Sequence, residues 1–174
     1  MRLVNSLGAS LTTCHEERPV TDVMPCLGTW VSLVVRPSVR SARSVGEYLN
    51  IDAGHFREAG EVVANSMGRS HTNRVSWWRL TSDRRVHSDD LRDHFDWLLA
   101  YLRGREHLLD SLRQEPECGM QVSCVWIPPS NYGTPALESC HLSGLALLGL
   151  DVTFDIMMLG DDDQSGSPVN QRTK

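Results

Sequence analysis

The chain has 174 residues, 40% of them hydrophobic, and a formal net charge of −5. That length suits one domain that buries about 70% of its unfolded surface, so neither a metal nor a disulfide is needed to hold a core. The acidic balance argues against nonspecific nucleic-acid binding, which wants a basic face, though it leaves room for a local basic patch, and no apolar run approaches the ~18 residues of a membrane helix. Arg36, Arg40 and Arg43 lie close together but read as a solvated arginine face. The five cysteines, Cys14, Cys26, Cys118, Cys124 and Cys140, show no paired spacing. The segment after Arg2 is too polar for a secretory signal, so free thiols in a reducing cytoplasm are expected.

Met1 to Val23 is polar and without a sustained period, and residues 1–28 read as a loose extension. A start at Met24 rather than Met1 would remove most of it. Thr29 to Arg36 is rich in β-branched and aromatic residues and predicts a strand that Pro37 ends. Ser44 to Glu47 fits a capping box, with Tyr48, Leu49 and Ile51 behind it, and predicts a short helix. Asp52 to Gly68 carries three glycines and one apolar pair, Val62 and Val63, and reads mostly as loop, with room for an irregular strand. Arg74 to Leu80 predicts a second strand.

Ser88 to Glu115 holds the longest clean period in the chain. Leu91, Phe95, Leu98, Leu102, Leu109 and Leu112 fall on one face of a helix, and Leu99 and Leu108 widen that stripe. Ser88 can cap the first turn, Asp89 and Asp90 suit the positive end of the helix dipole, and Pro116 stops continuation. Unbroken, such a helix is about 40 Å long. Gly104 is where it would bend, since an interior glycine costs roughly 1 kcal/mol. His94 and His107 are placed on its flanks.

Gly119 to Ile127 alternates with period two and predicts a strand. Pro128 to Pro135 is a loop, Ala136 to Leu148 an apolar helix, and Gly149 sits where a helix C-terminus wants glycine. In Leu150 to Met158, Leu150, Val152, Phe154, Ile156 and Met158 point one way, and Asp151, Thr153, Asp155 and Met157 the other. Residues 160–174 are acidic, then rich in Gly, Ser and Pro, and read as a disordered tail.

Strict alternation marks strands covered on one face only. The expected fold is therefore α+β in two layers. A four- to five-stranded, largely antiparallel or mixed sheet carries one long and two shorter helices on one face, all within residues 29–159. The strand–helix order also allows a doubly wound α/β sheet, the alternative.

Three segments now look familiar together. Ser76 to Ser82 is a serine–tryptophan strand, His94 to Leu102 reads HFDWLLAYL, and Leu148 to Ile156 runs helix end, glycine, strand. With these the chain resembles, over about residues 29–158, a small and mostly bacterial family known as domain of unknown function 4279. The resemblance implies a fold and a bacterial source rather than a chemistry.

The candidate binding residues are Trp77, Trp78, Arg79, Trp126 and Asp155. Asp155 interrupts an apolar strand and is expected on the open face of the sheet. Trp77 and Trp78 must point to opposite faces, and an exposed tryptophan is the kind of anchor binding hot spots use. No catalytic residue is assigned: G-x-S-x-G, G-x-G-x-x-G and Walker patterns are absent, and Cys140 and His141 are adjacent on a helix, about 100° apart. Cys118, Cys124, Cys140 and His141 match no zinc spacing, and Asp161 to Asp163 lack a calcium loop, so neither metal nor cofactor is expected. These features favour a cytoplasmic, non-enzymatic module of immunity or adaptor type that binds a protein, with neither nucleic acid nor membrane as partner. The alternative is a small enzyme with its site around Asp155, Arg79 and Trp126.

Overall fold

The structure, a computed structural model, describes residues 26–64, 68–128 and 134–158. In chain order they form β1 (Gly28–Arg36), α1 (Ala42–Leu49), β2 (His55–Arg57), β3 (Val62–Ala64), β4 (Ser70–Thr72), β5 (Trp77–Thr81), α2 (Leu91–Leu102), α3 (Glu106–Arg113), β6 (Gly119–Ile127), α4 (Ser139–Leu147) and β7 (Asp151–Ile156). The readings for the N-terminal extension up to residue 25, for most of the Pro128–Pro135 loop and for the tail from residue 160 lie outside the described residues.

β1 is the centre of a five-stranded sheet ordered β2-β5-β1-β6-β7, and β3 and β4 form a separate two-stranded ribbon. β1 runs antiparallel to both neighbours, and β2 is antiparallel to β5. Only β6 and β7 pair in parallel, joined through α4. A doubly wound sheet would be mostly parallel and its central strand parallel to its neighbours, so the mixed α+β reading holds and the alternative does not.

One side chain in two along β1, β5 and β6 makes the core. Val31, Leu33 and Val35 of β1, Trp78 and Leu80 of β5, and Val122 and Cys124 of β6 share one face of the sheet and are essentially sealed from solvent. Against them lie Val45 and Leu49 of α1, Leu91, Phe95, Leu98 and Leu102 of α2, Leu109 and Leu112 of α3, and Leu145 of α4. Every helix feeds that one cluster, so the layers number two. Burial pushes the Cys124 thiol up to about 12 and raises those of Cys26 and Cys118, so these free cysteines act as small apolar side chains. Cys140 is disulfide-bonded, a departure from the expectation of free thiols throughout.

The single long helix is two. Its apolar stripe is buried as expected, but the chain turns at Arg103 (ψ 135°) and Gly104 (φ +78°) before restarting as α3. Glycine reaches that left-handed backbone without a Cβ clash. The side chain just beyond gains from the break. The Arg105 guanidinium donates from Nε to the Leu49 carbonyl (2.9 Å), from Nη2 to that of Asn50 (3.1 Å) and from Nη1 to that of Tyr101 (2.8 Å). One cation thus satisfies carbonyls at the ends of α1 and α2, which the helices themselves leave open.

Two caps lie away from their expected places. Ser41, not Ser44, caps α1, its hydroxyl accepting from Ser44 N–H at 3.2 Å. Asp90, not Ser88, caps α2 by accepting from Arg92 N–H at 2.9 Å. The expected loop Asp52–Gly68 contributes β2 to the sheet and β3 to the ribbon. His94 is buried rather than on a flank. β7 keeps its expected parity, since Val152, Phe154 and Ile156 pair beside Val122, Cys124 and Trp126. It does not keep the expected burial, and Phe154 and Ile156 are 44% and 49% exposed. The reason is placement: α4 packs against α2 rather than out over the edge strand.

Candidate binding cleft

On the face away from the helices, the first two strands of the sheet bring four side chains together. Trp78 and Leu80 of β5 point into the core, so Trp77 and Arg79 point out. Phe56 of β2 pairs beside Trp78, so His55 and Arg57 share the outer face, His55 opposite Arg79 and Arg57 opposite Trp77. The block borders a cleft of about 340 Å³ lined by Gly54, His55, Phe56, Arg57, Trp77 and Arg79. Gly54 lets the strand lie this close: a Cβ there would sit 2.1 Å from Nε1 of the Trp78 indole.

The cleft is cationic and aromatic in a chain of net charge −5. The Arg79 guanidinium lies 5.6 Å from the Trp77 ring centroid and makes no ion pair among the described residues. Arg57 reaches Glu61 only at 4.0 Å, with both side chains well exposed, a contact worth little. Below the cleft, Glu58 fixes the segment. Its carboxylate accepts from Arg43 N–H at 3.1 Å and from the Ser76 hydroxyl at 2.9 Å. Burial raises its pKa, but those hydrogen bonds and the charge of Arg43 outweigh that and lower it. Two nearby arginines are engaged. Arg40 pairs with Glu115 and lies 4.0 Å over Tyr48, and Arg43 lies 4.8 Å over Phe56. They form no open basic stripe.

The remaining candidates lie elsewhere. Trp78 and Trp126 are 1% and 3% exposed on the helix-covered face; they are core, because their parity is that of Leu80 and Cys124. Asp155 stands on the open face, but on β7, with β1 and β6 between it and β5. Three strand spacings make about 14 Å. Asp155, Arg79 and Trp126 therefore do not converge, and an enzyme site built from those three is not assembled.

Two polar clusters have chemical groups in reactive combinations, and of their members only Cys140 and His141 stand among the candidates read from the sequence. His94 lies with Nε2 3.0 Å from the Ser88 carbonyl, which can only accept, so Nδ1 accepts from the Ser82 hydroxyl at 2.8 Å. A serine donating to a histidine is the start of a nucleophile–base pair. Here both are fully enclosed, so no substrate can reach the hydroxyl. Glu138, Cys140 and His141 place donor atoms within 4.8 Å of one another. Yet His141 accepts from Glu138 N–H at Nδ1 (3.0 Å) and meets Asp96 at Nε2 (3.1 Å), and Glu138 pairs with Arg92 at 3.0 Å. With Cys140 bonded as a disulfide, these groups cap α4 and tie it to α2. Cys118 and Cys124 take no part in this group.

Across the middle of the face away from the helices runs a row of hydroxyls in register, Thr81, Ser32, Ser123 and Thr153, with Ser32 donating to Thr81 at 2.9 Å and both of those side chains buried. His55 and Arg57 went unnoticed because their segment reads as loop. The polar–aromatic–polar order His55-Phe56-Arg57 was the available signal, three residues long.

No helix among the described residues is long and apolar enough to cross a membrane. No curated protein and no solved structure matches the chain. A family model, domain of unknown function DUF4279, matches residues 28–159, from the first residue of β1 to just beyond β7. That span takes in the five-stranded sheet, every helix among the described residues and the cleft, and the chain belongs to the DUF4279 family.

Proposed function

We propose that this protein is a non-enzymatic, protein-binding module of adaptor or immunity type, and that the cleft between β2 and β5 grips an acidic feature of its partner. The observation that carries this is the block of His55, Arg57, Trp77 and Arg79 on one face of the sheet, with Arg79 in no ion pair among the described residues and Arg57 only 4.0 Å from an exposed Glu61. Tryptophan and arginine dominate binding hot spots because a large ring and a planar fork of donors give area and direction together. The cleft offers cations, an imidazole and rings, and it lacks the carboxylate or nucleophile that a second catalytic role requires. Cytoplasmic residence is part of this reading; the free Cys26, Cys118 and Cys124 support it, and the bonded Cys140 weighs against it.

The test is a photo-crosslinking residue at position 75, where an exposed valine stands two residues before Trp77, with adducts from the source lysate identified by mass spectrometry. The expected result is a partner with an acidic contact surface, captured about tenfold less by Trp77→Ala or Arg79→Ala. Both variants change exposed or half-exposed side chains, and circular dichroism and a urea melt would verify their folding. Equal capture by folded wild type and a Trp77→Ala/Arg79→Ala double variant would sink the proposal.

A further inference from the structure

The opposite edge of the sheet has a different chemistry. Among the described residues β7 pairs with β6 alone. Met157 N–H donates to the Trp126 carbonyl at 3.1 Å, and backbone groups alternate sides along a strand. The N–H and C=O groups of Val152, Phe154 and Ile156 therefore point away from the sheet. Exposed strand edges of this kind are templates for another strand. The side chains add a code. Phe154 and Ile156, nearly half exposed, stand on one face, and Asp151 and Asp155 stand on the other, with Thr153 between them.

We infer that the β7 edge is a strand-addition site for an extended segment of another protein in which apolar side chains alternate with lysine or arginine. Charge complementarity selects the occupant. A second copy of this chain is the obvious competitor, and its own acids oppose it. Antiparallel self-pairing centred on Thr153 sets Asp151 opposite Asp155 twice. Centring on Phe154 instead brings the two Asp155 carboxylates to a diagonal. Like charges so placed are destabilising, and opposite charges stabilising. The acids that keep β7 from pairing with itself are the groups that reward a basic strand, whose apolar face would cover Phe154 and Ile156. This site is independent of the cleft between β2 and β5.

The experiment uses the full chain and three synthetic peptides of nine residues: one alternating valine with lysine, one alternating valine with glutamate, and the lysine peptide with its central amides N-methylated. Binding is read by fluorescence anisotropy, and the site by hydrogen exchange of the Val152, Phe154 and Ile156 amides. The lysine peptide should bind and slow exchange at those amides. The glutamate and N-methylated peptides should bind at least tenfold more weakly. Asp151→Asn and Asp155→Asn should each weaken the lysine peptide about threefold. Equal binding of the lysine and N-methylated peptides overturns strand addition without any protein variant. Amides already protected in the free monomer would show that the chain covers its own edge, and a dimer in sedimentation that a second copy does; either result overturns the proposal.

Discussion

Replacing Ser82 by alanine removes one oxygen atom, and the structure makes that atom the joint of β1, β5 and α2. Ser82 continues the pairing of β5 with β1, its N–H donating to the Val31 carbonyl at 2.9 Å. Its own carbonyl has turned away, to accept from Arg85 and Val86. The Val31 N–H would be orphaned by that turn, and the Ser82 hydroxyl takes it instead, at 2.9 Å. The same hydroxyl gives its proton to Nδ1 of His94. Ser82, Val31 and His94 are all at or below 1% exposure, so water cannot repair the loss. Ser82→Ala leaves one backbone donor and one ring acceptor unsatisfied, at roughly 1–3 kcal/mol each. Less the desolvation that serine itself no longer suffers, the expected loss is about 2–4 kcal/mol. Urea unfolding with linear extrapolation reads it directly. In a double-mutant cycle with His94→Leu, the two costs should fall short of adding, because one variant already removes the other's partner. A loss under about 0.5 kcal/mol, the range of an exposed substitution, would refute the assignment of this joint.

Leu98→Ala should cost about 2–5 kcal/mol in the same assay, since Leu98 is fully buried. Phe154→Ala, on a strand edge with its ring 44% exposed, should cost only about 1 kcal/mol; equal losses would mean that β7 is roofed. Gly104→Ala should destabilise by about 1 kcal/mol, because Gly104 has φ +78°; a gain of that size would indicate a continuous helix, where alanine is the better residue. Glu58→Gln should lower stability at pH 7 by about 1 kcal/mol, as loss of a helix-capping carboxylate does. Because the folded pKa of Glu58 is lowered, its contribution is complete above the ordinary value of 4.5 and fades as pH falls through the folded value. Melts at pH 7 and pH 3 should therefore converge for wild type and variant, and a constant gap would be the contrary result.

The face of each element was legible in the sequence, and the limits of several elements were not. Period is a property of neighbouring residues, so Leu91 through Leu112 declare their buried side without reference to the fold. Where the helix ends depends on what its end must satisfy, and the Arg105 guanidinium serves carbonyls at Leu49 and Asn50, more than fifty residues earlier. That contact cannot be read locally. His94 misled for a related reason. It lies three residues from Leu91 and four from Leu98, squarely on the apolar stripe, but a polar side chain there is explained only once Ser82 and the Ser88 carbonyl supply partners. β7 shows the difference between parity and burial. Alternation fixes which way Phe154 points, and only the packing of α4 against α2 decides that nothing among the described residues covers it.

The candidate site divides along the same line. Trp77 and Trp78 had to face opposite sides, and which one is buried follows from Leu80 having the parity of Trp78. Grouping Arg79 with Asp155 and Trp126 needed the strand order, and sequence order suggests the wrong neighbours. β5 and β7 are separated by β1, the first strand of the chain, and by β6. Once β1 is placed at the centre, the open face acquires two ends of unlike character. The β2 end has His55, Arg57 and Arg79 around an aromatic ring, and the β7 end has Asp151 and Asp155 backed by Phe154 and Ile156. Three to four strand spacings, about 14–19 Å, keep the opposite charges beyond the ~8 Å over which they would neutralise each other at physiological salt. Each end therefore presents its own sign to solvent. A partner drawn to one end has no electrostatic reason to settle on the other, so the two edges can be occupied at once by surfaces of opposite charge.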